Sequence, residues 1–143
     1  MDVELRPVLE SDLPSFYAHQ SDPVACAIAG FPARVQTEFF AHWHRILVDP
    51  GVKCRAIVAD DVLVGNVVAF DLDGHREVGY WLDRPQWGNG IATAALRAFL
   101  AIELLRPLHG NAAVTNLGSI RVLEKCGFRL DHADSQRVDL VLD

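Results

Sequence analysis

The chain has 143 residues, 50% hydrophobic and 22% charged, with three cysteines and a formal charge of −6. That length suits one globular domain with a sizeable core, spanning residues 1–143, and the acidic balance argues against a sequence-independent grip on nucleic acid phosphates while leaning toward cationic or amine partners. No apolar run approaches the ~20 residues of a membrane span and the start MDVELRP lacks the pattern of a signal peptide, so a cytoplasmic protein without a membrane partner is expected. Cys26, Cys54 and Cys126 are odd in number and far apart, which fits reduced thiols and no metal site.

In chain order the pattern is mixed α/β. Residues 3–8 alternate like a short strand, and Ser11 or Asp12 can cap a first helix running to about Gln20, with Pro14 in its first turn. Residues 22–35 carry two prolines and a glycine without a clean period, which predicts a loop or broken helix. Thr37 can cap a second helix in which Phe39, Phe40, Trp43 and Leu47 recur at helical spacing and Asp49, Pro50 and Gly51 mark the stop. The period then changes to two: strands over 53–59, 62–72 and 75–83, joined by turns at Asp60–Asp61 and Asp73–Gly74, form an antiparallel meander. A helix follows the glycines at 88 and 90, with Ile91, Ala94, Ala95, Ala98, Phe99 and Ile102 on one face and Pro107 as its limit. Residues 108–114 read as a strand. Residues 116–128 read as a helix capped by Asn116, with Ile120 and Leu123 inward and Gly127 as its left-handed stop before Phe128. Short strands near 128–132 and 137–142 complete the chain.

The stretch PQWGNGIATAAL, residues 85–96, raises the first chemical question. A strand ends, Gly88, Asn89 and Gly90 bring backbone N–H groups into the open, and a helix begins at once. Free N–H donors and the positive end of a helix dipole favour an anion such as phosphate, and the missing side chains let it touch the backbone. The alternative is that the glycines merely turn the chain. There is no Gly-Lys-Ser/Thr of a P-loop, and Thr93 replaces the third glycine of a dinucleotide fingerprint, with no parallel βαβ unit around it.

Element order and residues together resemble the GNAT superfamily of acetyl-CoA-dependent N-acetyltransferases, and within it the ribosomal-protein N-terminal acetyltransferases. That family's pyrophosphate loop, Gln/Arg-x-x-Gly-x-Gly/Ala, is matched by Trp87, Gly88, Asn89, Gly90, Ile91 and Ala92, with Trp87 in place of Gln or Arg, a departure typical of the ribosomal-protein branch, whose Trp-Gly-x-Gly-x-Ala-Thr form also takes in Thr93. A second motif, Asn-x-x-Ser-x-x-x-x-Glu-Lys-x-Gly-Phe, is matched by Asn116, Ser119, Glu124, Lys125, Gly127 and Phe128. The opening LRPVLESDLPSF and the strand REVGYWLDRPQWG are also similar to family segments, so the likeness covers nearly the whole chain. It implies a mostly antiparallel, six- or seven-stranded mixed sheet flanked by about four helices. The implied reaction is transfer of acetyl from acetyl-CoA to a primary amine, either a protein N-terminus or a small molecule, by direct attack through a tetrahedral intermediate. A homodimer is among the states the resemblance allows. The rival class is a non-catalytic acyl-CoA-binding module with the same fold.

The resemblance also implies a site. Gly79, Tyr80, Trp81 and Leu82 would offer strand backbone to the pantetheine and thioester carbonyl where this strand splays from its neighbour. Glu77 lies where the branch carries a carboxylate base, and strand alternation puts it on the face of Gly79. The plainer reading is a solvated strand residue beside Asp73 and His75, and His75 or water are alternative bases. Many family members place a tyrosine acid four positions after the residue equivalent to Ser119. Here that position is Leu123, and the branch assigns the acid role to the serine, so Ser119 is the expected acid; otherwise it only bonds the helix start. Asn116 can cap the helix with one end of its amide and touch the cofactor with the other. Arg121 and Lys125, one turn apart, either meet a cofactor phosphate or form a solvated face. His42 and His44 face different directions on their helix and suit packing or surface roles better than metal ligation. Tyr80 and Trp81 point to opposite sides of their strand, leaving open which one lines the acceptor cleft.

Overall fold

A computed structural model describes residues 1–143. Strand β1 (Val3–Arg6) leads through a short 3₁₀ turn into α1 (Leu13–His19), α2 (Pro23–Ala29) and α3 (Gln36–Val48); β2 (Lys53–Ala59), β3 (Val62–Leu72) and β4 (His75–Leu82) follow, then α4 (Ile91–Leu100), β5 (Leu108–Ala113), α5 (Leu117–Lys125), β6 (Arg129–Ala133) and β7 (Arg137–Leu142). The strands form one sheet in the order β1-β2-β3-β4-β5-β7-β6. Every pairing is antiparallel except β4 with β5. The mixed α/β class and mostly antiparallel sheet expected from the sequence are what the chain adopts, with five α-helices instead of about four.

The central meander follows from its turns. Asp60 and Asp61 both take left-handed φ (47° and 66°), as do Asp73 and Gly74 (50° and 81°). Two consecutive left-handed residues form a tight turn whose twist matches that of the flanking strands, and short polar side chains tolerate it. Alternation along β2 and β3 then feeds two cores on opposite faces. Ile57 and Val67 pack with Ile91, Ala95, Leu96 and Phe99 of α4 and Leu123 of α5. Ala56 and Val68 pack with Leu13 and Phe16 of α1 and Phe39 and Trp43 of α3. Gly110 is needed for the first core: a Cβ there would lie 2.7 Å from the Leu123 side chain, so its absence lets α5 close on β5.

Several local expectations are corrected. Residues 22–35 include a regular helix, α2, because Asp22 accepts from the N–H groups of Val24 and Ala25, Pro23 occupies the first turn, and Gly30 closes the end at φ 80°. α3 begins with Val35 as its N-cap, and Thr37 lies inside it. β1 stops at Arg6, and α1 begins at Leu13 without a side-chain cap. Asp12 instead spends its carboxylate on Arg6 and on the N–H of Leu9. α4 ends at Leu100, well before Pro107, and Ala94 and Ala98 face outward. Its buried stripe is Ile91, Ala95, Leu96 and Phe99. α5 is capped by Asn116 as expected, with Leu123 buried and Ile120 only half-buried; it ends at Lys125, and Gly127 turns the chain at φ 94°.

Candidate active site

The site grows from one interruption in the sheet. β4 remains paired with β3 out to Leu82, opposite Gly65, but its parallel pairing with β5 ends at Val78, opposite Gly110. The β5 side of residues 79–82 is therefore an unpaired backbone edge inside the sheet, which an extended ligand can complete. Directly beyond it the chain makes a 3₁₀ turn at Arg84–Gln86 and enters the glycine loop. The Trp87 indole N–H donates to the Leu82 carbonyl at 2.9 Å, tying the loop to the strand end.

Gly88 and Gly90 have φ of 83° and 77°, and a Cβ at either would meet nothing within 4 Å. Both therefore need glycine for backbone shape, and both face open space. The first N–H past the loop with a backbone acceptor is that of Ala94, which donates to the Gly90 carbonyl at 3.1 Å; the N–H groups of residues 88–93 have none, and Gly90, as N-cap, brings no side-chain acceptor. Six consecutive free donors at a helix N-terminus form a cradle for an anion. Arg121 and Lys125 line the same cavity.

That cavity, of about 330 Å³, is bounded by Tyr80, Trp81 and Leu82 of β4, by Trp87, Gly88, Gly90, Ile91, Ala92 and Thr93, and by Asn116, Ser119 and neighbours on α5. These residues come together as the sequence suggested. Asn89 sits at the exposed loop tip with its amide toward Gln86, outside the lining. Gly79 lines a second cavity, of about 540 Å³, with residues of α2, the α2–α3 connection, α3, β5 and β7. Both cavities are lined by Ala29, Tyr80, Trp81, Asn116 and Ser119, so they meet at the splayed strand. Nothing in the sequence signalled Asn111, Arg137 and Glu38 in the second cavity, and in residues 22–35 it was the regular helix that went unread. Asp22 before Pro23 was the readable sign that a helix lay there.

Where the cavities meet, the Tyr80 hydroxyl donates to Ser119 Oγ at 3.1 Å. Burial pushes the Tyr80 phenol up, with the Ser119 hydrogen bond opposing, so it is a proton donor near neutral pH. The Ser119 backbone N–H donates to the Asn116 amide oxygen at 3.2 Å, which leaves the Asn116 NH₂ free. Trp81 turns to the opposite face, where its indole N–H donates to the His19 carbonyl of α1 at 3.0 Å.

Glu77 is half-buried and lines neither cavity. It lies opposite His109 in the β4–β5 pairing, on the face of Gly79. Burial pushes its carboxyl up, Asp139 and Asp73 add to the shift, and His109 and His75 oppose it. His75 Nδ1 lies 3.2 Å from His109 Nε2, and His109 Nδ1 lies 3.0 Å from Asp139 Oδ2. His109, Asp131 and Asp139 bring ligand atoms within 4.8 Å of one another, but both ring nitrogens of His109 are already engaged by Asp139 and His75. His42 and His44 stay apart from both cavities, and His44 meets Glu10 at 3.1 Å. No helix is long and apolar enough to cross a membrane.

The strand opening and the glycine cradle define a site for an extended, anion-bearing ligand, and comparison with known proteins gives the family. The sequence model of the acetyltransferase (GNAT) domain matches residues 2–129, so the chain belongs to that family. The Bacillus subtilis (strain 168) protein described as probable N-acetyltransferase YjcK is 40% identical over 79 residues, 49% of this chain. The match covers 43% of that relative, so the chain spans less than half the length of its curated relative. A GNAT-family acetyltransferase from Bacillus anthracis superposes with a TM-score of 0.80 at 16% identity, covering 98% of this chain and 93% of the other. RimL, a ribosomal α-N-protein acetyltransferase solved with coenzyme A, gives 0.80 at 20% identity over 97% and 92%. The aminoglycoside acetyltransferase AAC(6')-Ib, also solved with coenzyme A, gives 0.81 at 18% identity over 99% and 94%.

Proposed function

We propose that this protein transfers the acetyl group of acetyl-CoA to a primary amine by direct attack, with acetyl-CoA as co-substrate in the smaller cavity and the amine in the larger. The observation that carries this reading is the continuity of three features at one point: the unpaired edge of β4, the free N–H groups of residues 88–93, and the Tyr80–Ser119 hydrogen bond where the cavities meet. The pyrophosphate fits the glycine cradle, with Arg121 and Lys125 as flanking cations, and the pantetheine arm lies along residues 79–82. The thioester carbonyl then sits beside strand N–H groups able to hold a developing oxyanion.

In the reaction the amine nitrogen attacks the thioester carbon, the nitrogen gives up a proton, the C–S bond breaks and the thiolate takes a proton. Glu77 receives the first proton through water, since it stands outside the cavity lining. Ser119 supplies the second. Its oxygen accepts from Tyr80, so its own hydrogen remains free to point at the departing sulfur, and Tyr80 can refill it. RimL and AAC(6')-Ib are described as acting on a ribosomal protein N-terminus and on aminoglycosides, and the acceptor here belongs to the same broad class of amines.

The test is thiol release from acetyl-CoA in the presence of a panel of amines and peptides, with the acetylated acceptor identified by mass spectrometry. Acceptor-dependent release is expected. Tight acetyl-CoA binding with no release across the panel would leave only the acyl-CoA-binding module.

A further inference from the structure

The larger cavity holds a cation that the fold immobilises without neutralising. Arg137 opens β7, and its side chain crosses to the end of α2, 108 residues away in sequence. Its Nε donates to the Asn111 side-chain oxygen, one Nη reaches the Ala29 carbonyl at 3.5 Å, and the guanidinium carbon lies 4.8 Å from the centre of the Phe31 ring. All three partners are uncharged. No carboxylate lies within ion-pair distance of Arg137, and the nearby Asp134 spends its Oδ1 on the backbone N–H groups of Gln136 and Arg137. Arg34 lines the same cavity and makes no hydrogen bond or ion pair; Glu38 is the one acidic residue in the lining.

A guanidinium held by an amide, a carbonyl and an aromatic face has lost its rotamer freedom in advance and still presents unused N–H groups of its planar fork. Such a fork matches a carboxylate in geometry and charge. The charge is local: the protein as a whole is at −6, while the lining of this cavity carries two arginines against one glutamate. The same cavity is also lined by Gly79, Tyr80 and Ser119, where the amine must arrive if the proposed acetyl transfer is right.

We infer that the acceptor is a primary amine bearing a carboxylate, whose anionic group is received by Arg137 with Arg34 alongside while its amine faces the splayed strand. This names the acceptor class of the proposed reaction and rests on that reading for the role of the amine end. The cavity of about 540 Å³ is of a size suited to a small molecule. The carboxylate can belong to a free amino acid or to the acidic side chain beside a peptide N-terminus.

Calorimetry on the CoA-bound protein, with a series of ω-amino acids and their carboxamides, tests the anion site without turnover. At least one acid should bind about tenfold or more tighter than its amide, and Arg137→Met should abolish that difference while leaving CoA affinity unchanged. Asn111→Asp provides a second route, because it places a carboxylate against an intact Arg137 and should remove the preference as well. Equal binding of acid and amide by the parent, or a preference that survives either substitution in a folded protein, overturns the inference. Thiol-release assays on the same compounds, and on peptides with Asp or Asn in second position, separate free amino acids from acidic peptides as the source. Acids that bind selectively but accept no acetyl group would sink the acetyl-transfer reading and keep the anion site; diamines and amides used as readily as acids would do the reverse.

Discussion

Tyr80 and Ser119, 39 residues apart, are joined by a 3.1 Å hydrogen bond that spans from β4 to the first turn of α5. It links the strand proposed to hold the thioester with the helix that carries the proposed acid. Leu123, where the family resemblance leads one to expect a tyrosine, is buried under Gly110. The phenol that meets Ser119 therefore comes from the sheet.

Replacing Ser119 with alanine should slow the chemical step by roughly 10²-fold, the low end for a general acid, because a thiol of pKa about 8.5 is already a tolerable leaving group. Tyr80→Phe should cost less, since Ser119 keeps its own proton and loses only its supplier. Acetyl-CoA affinity should hold nearly constant in Ser119→Ala, as expected of a group acting in the transition state. Single-turnover rates and melting curves on one sample decide the matter. A normal rate with a lowered melting temperature would show that Ser119 only supports the helix.

Gly90→Val tests the anion cradle. At φ 77° a branched side chain is strained by about 1–2 kcal/mol, yet its Cβ meets no protein atom within 4 Å. The chief consequence should fall on a ligand approaching the backbone, with acetyl-CoA binding reduced at least about tenfold by calorimetry. Gly74→Val, at φ 81° and equally free of neighbours but in the β3–β4 turn, isolates the strain. Equal binding by the two variants would remove the phosphate from residues 88–93.

The bidentate bond from Arg6 to Asp12, at 2.7 and 2.8 Å, holds β1 to the turn before α1. The Arg6 guanidinium keeps the Asp12 carboxyl below the usual carboxylate range against the cost of burial, with the Leu9 N–H helping. A depressed folded pKa means that this stability is present above the unfolded value near 3.9 and is lost as pH falls through the folded one. Asp12→Asn should therefore cost about 2 kcal/mol near neutral pH, and its melting temperature should converge on the parent's in acid. A gap that persists at low pH would assign the loss to shape.

Much of this was legible because it is local. The period-two runs of β2 to β4, the Asp-Asp and Asp-Gly turns, the cap of α5 at Asn116 and the bare backbone at Gly88 and Gly90 each declare themselves within a few residues. α2 did not, since PVACAIA is apolar all round and has no polar face to betray a period. The sides taken by Tyr80 and Trp81 depended on which core each face of β4 meets. Arg137 was illegible for a stronger reason: its partners lie on α2, on the segment after it and on β5, and only the assembled sheet shows that none is an acid.

Glu77 carries the proposal that the amine loses its proton through water to a carboxylate on β4. Burial, with Asp139 as the next contributor, pushes that carboxyl up despite His109 and His75. A raised folded pKa gives a stabilising contribution that is complete below the unfolded value near 4.3 and is lost as pH rises through the folded pKa. Ionised Glu77 thus destabilises the fold above that point, and Glu77→Gln should melt higher than the parent near neutral pH, the difference closing in acid. The same ionisation makes the base competent, so the parent's kcat/KM should fall on the acid side and Glu77→Gln should lose that limb together with roughly 10²–10⁴-fold in rate, at unchanged acetyl-CoA affinity. The two readouts separate the roles. A higher melting temperature with the limb intact would make Glu77 a strained bystander and pass the proton to His75 or to an amine that arrives neutral.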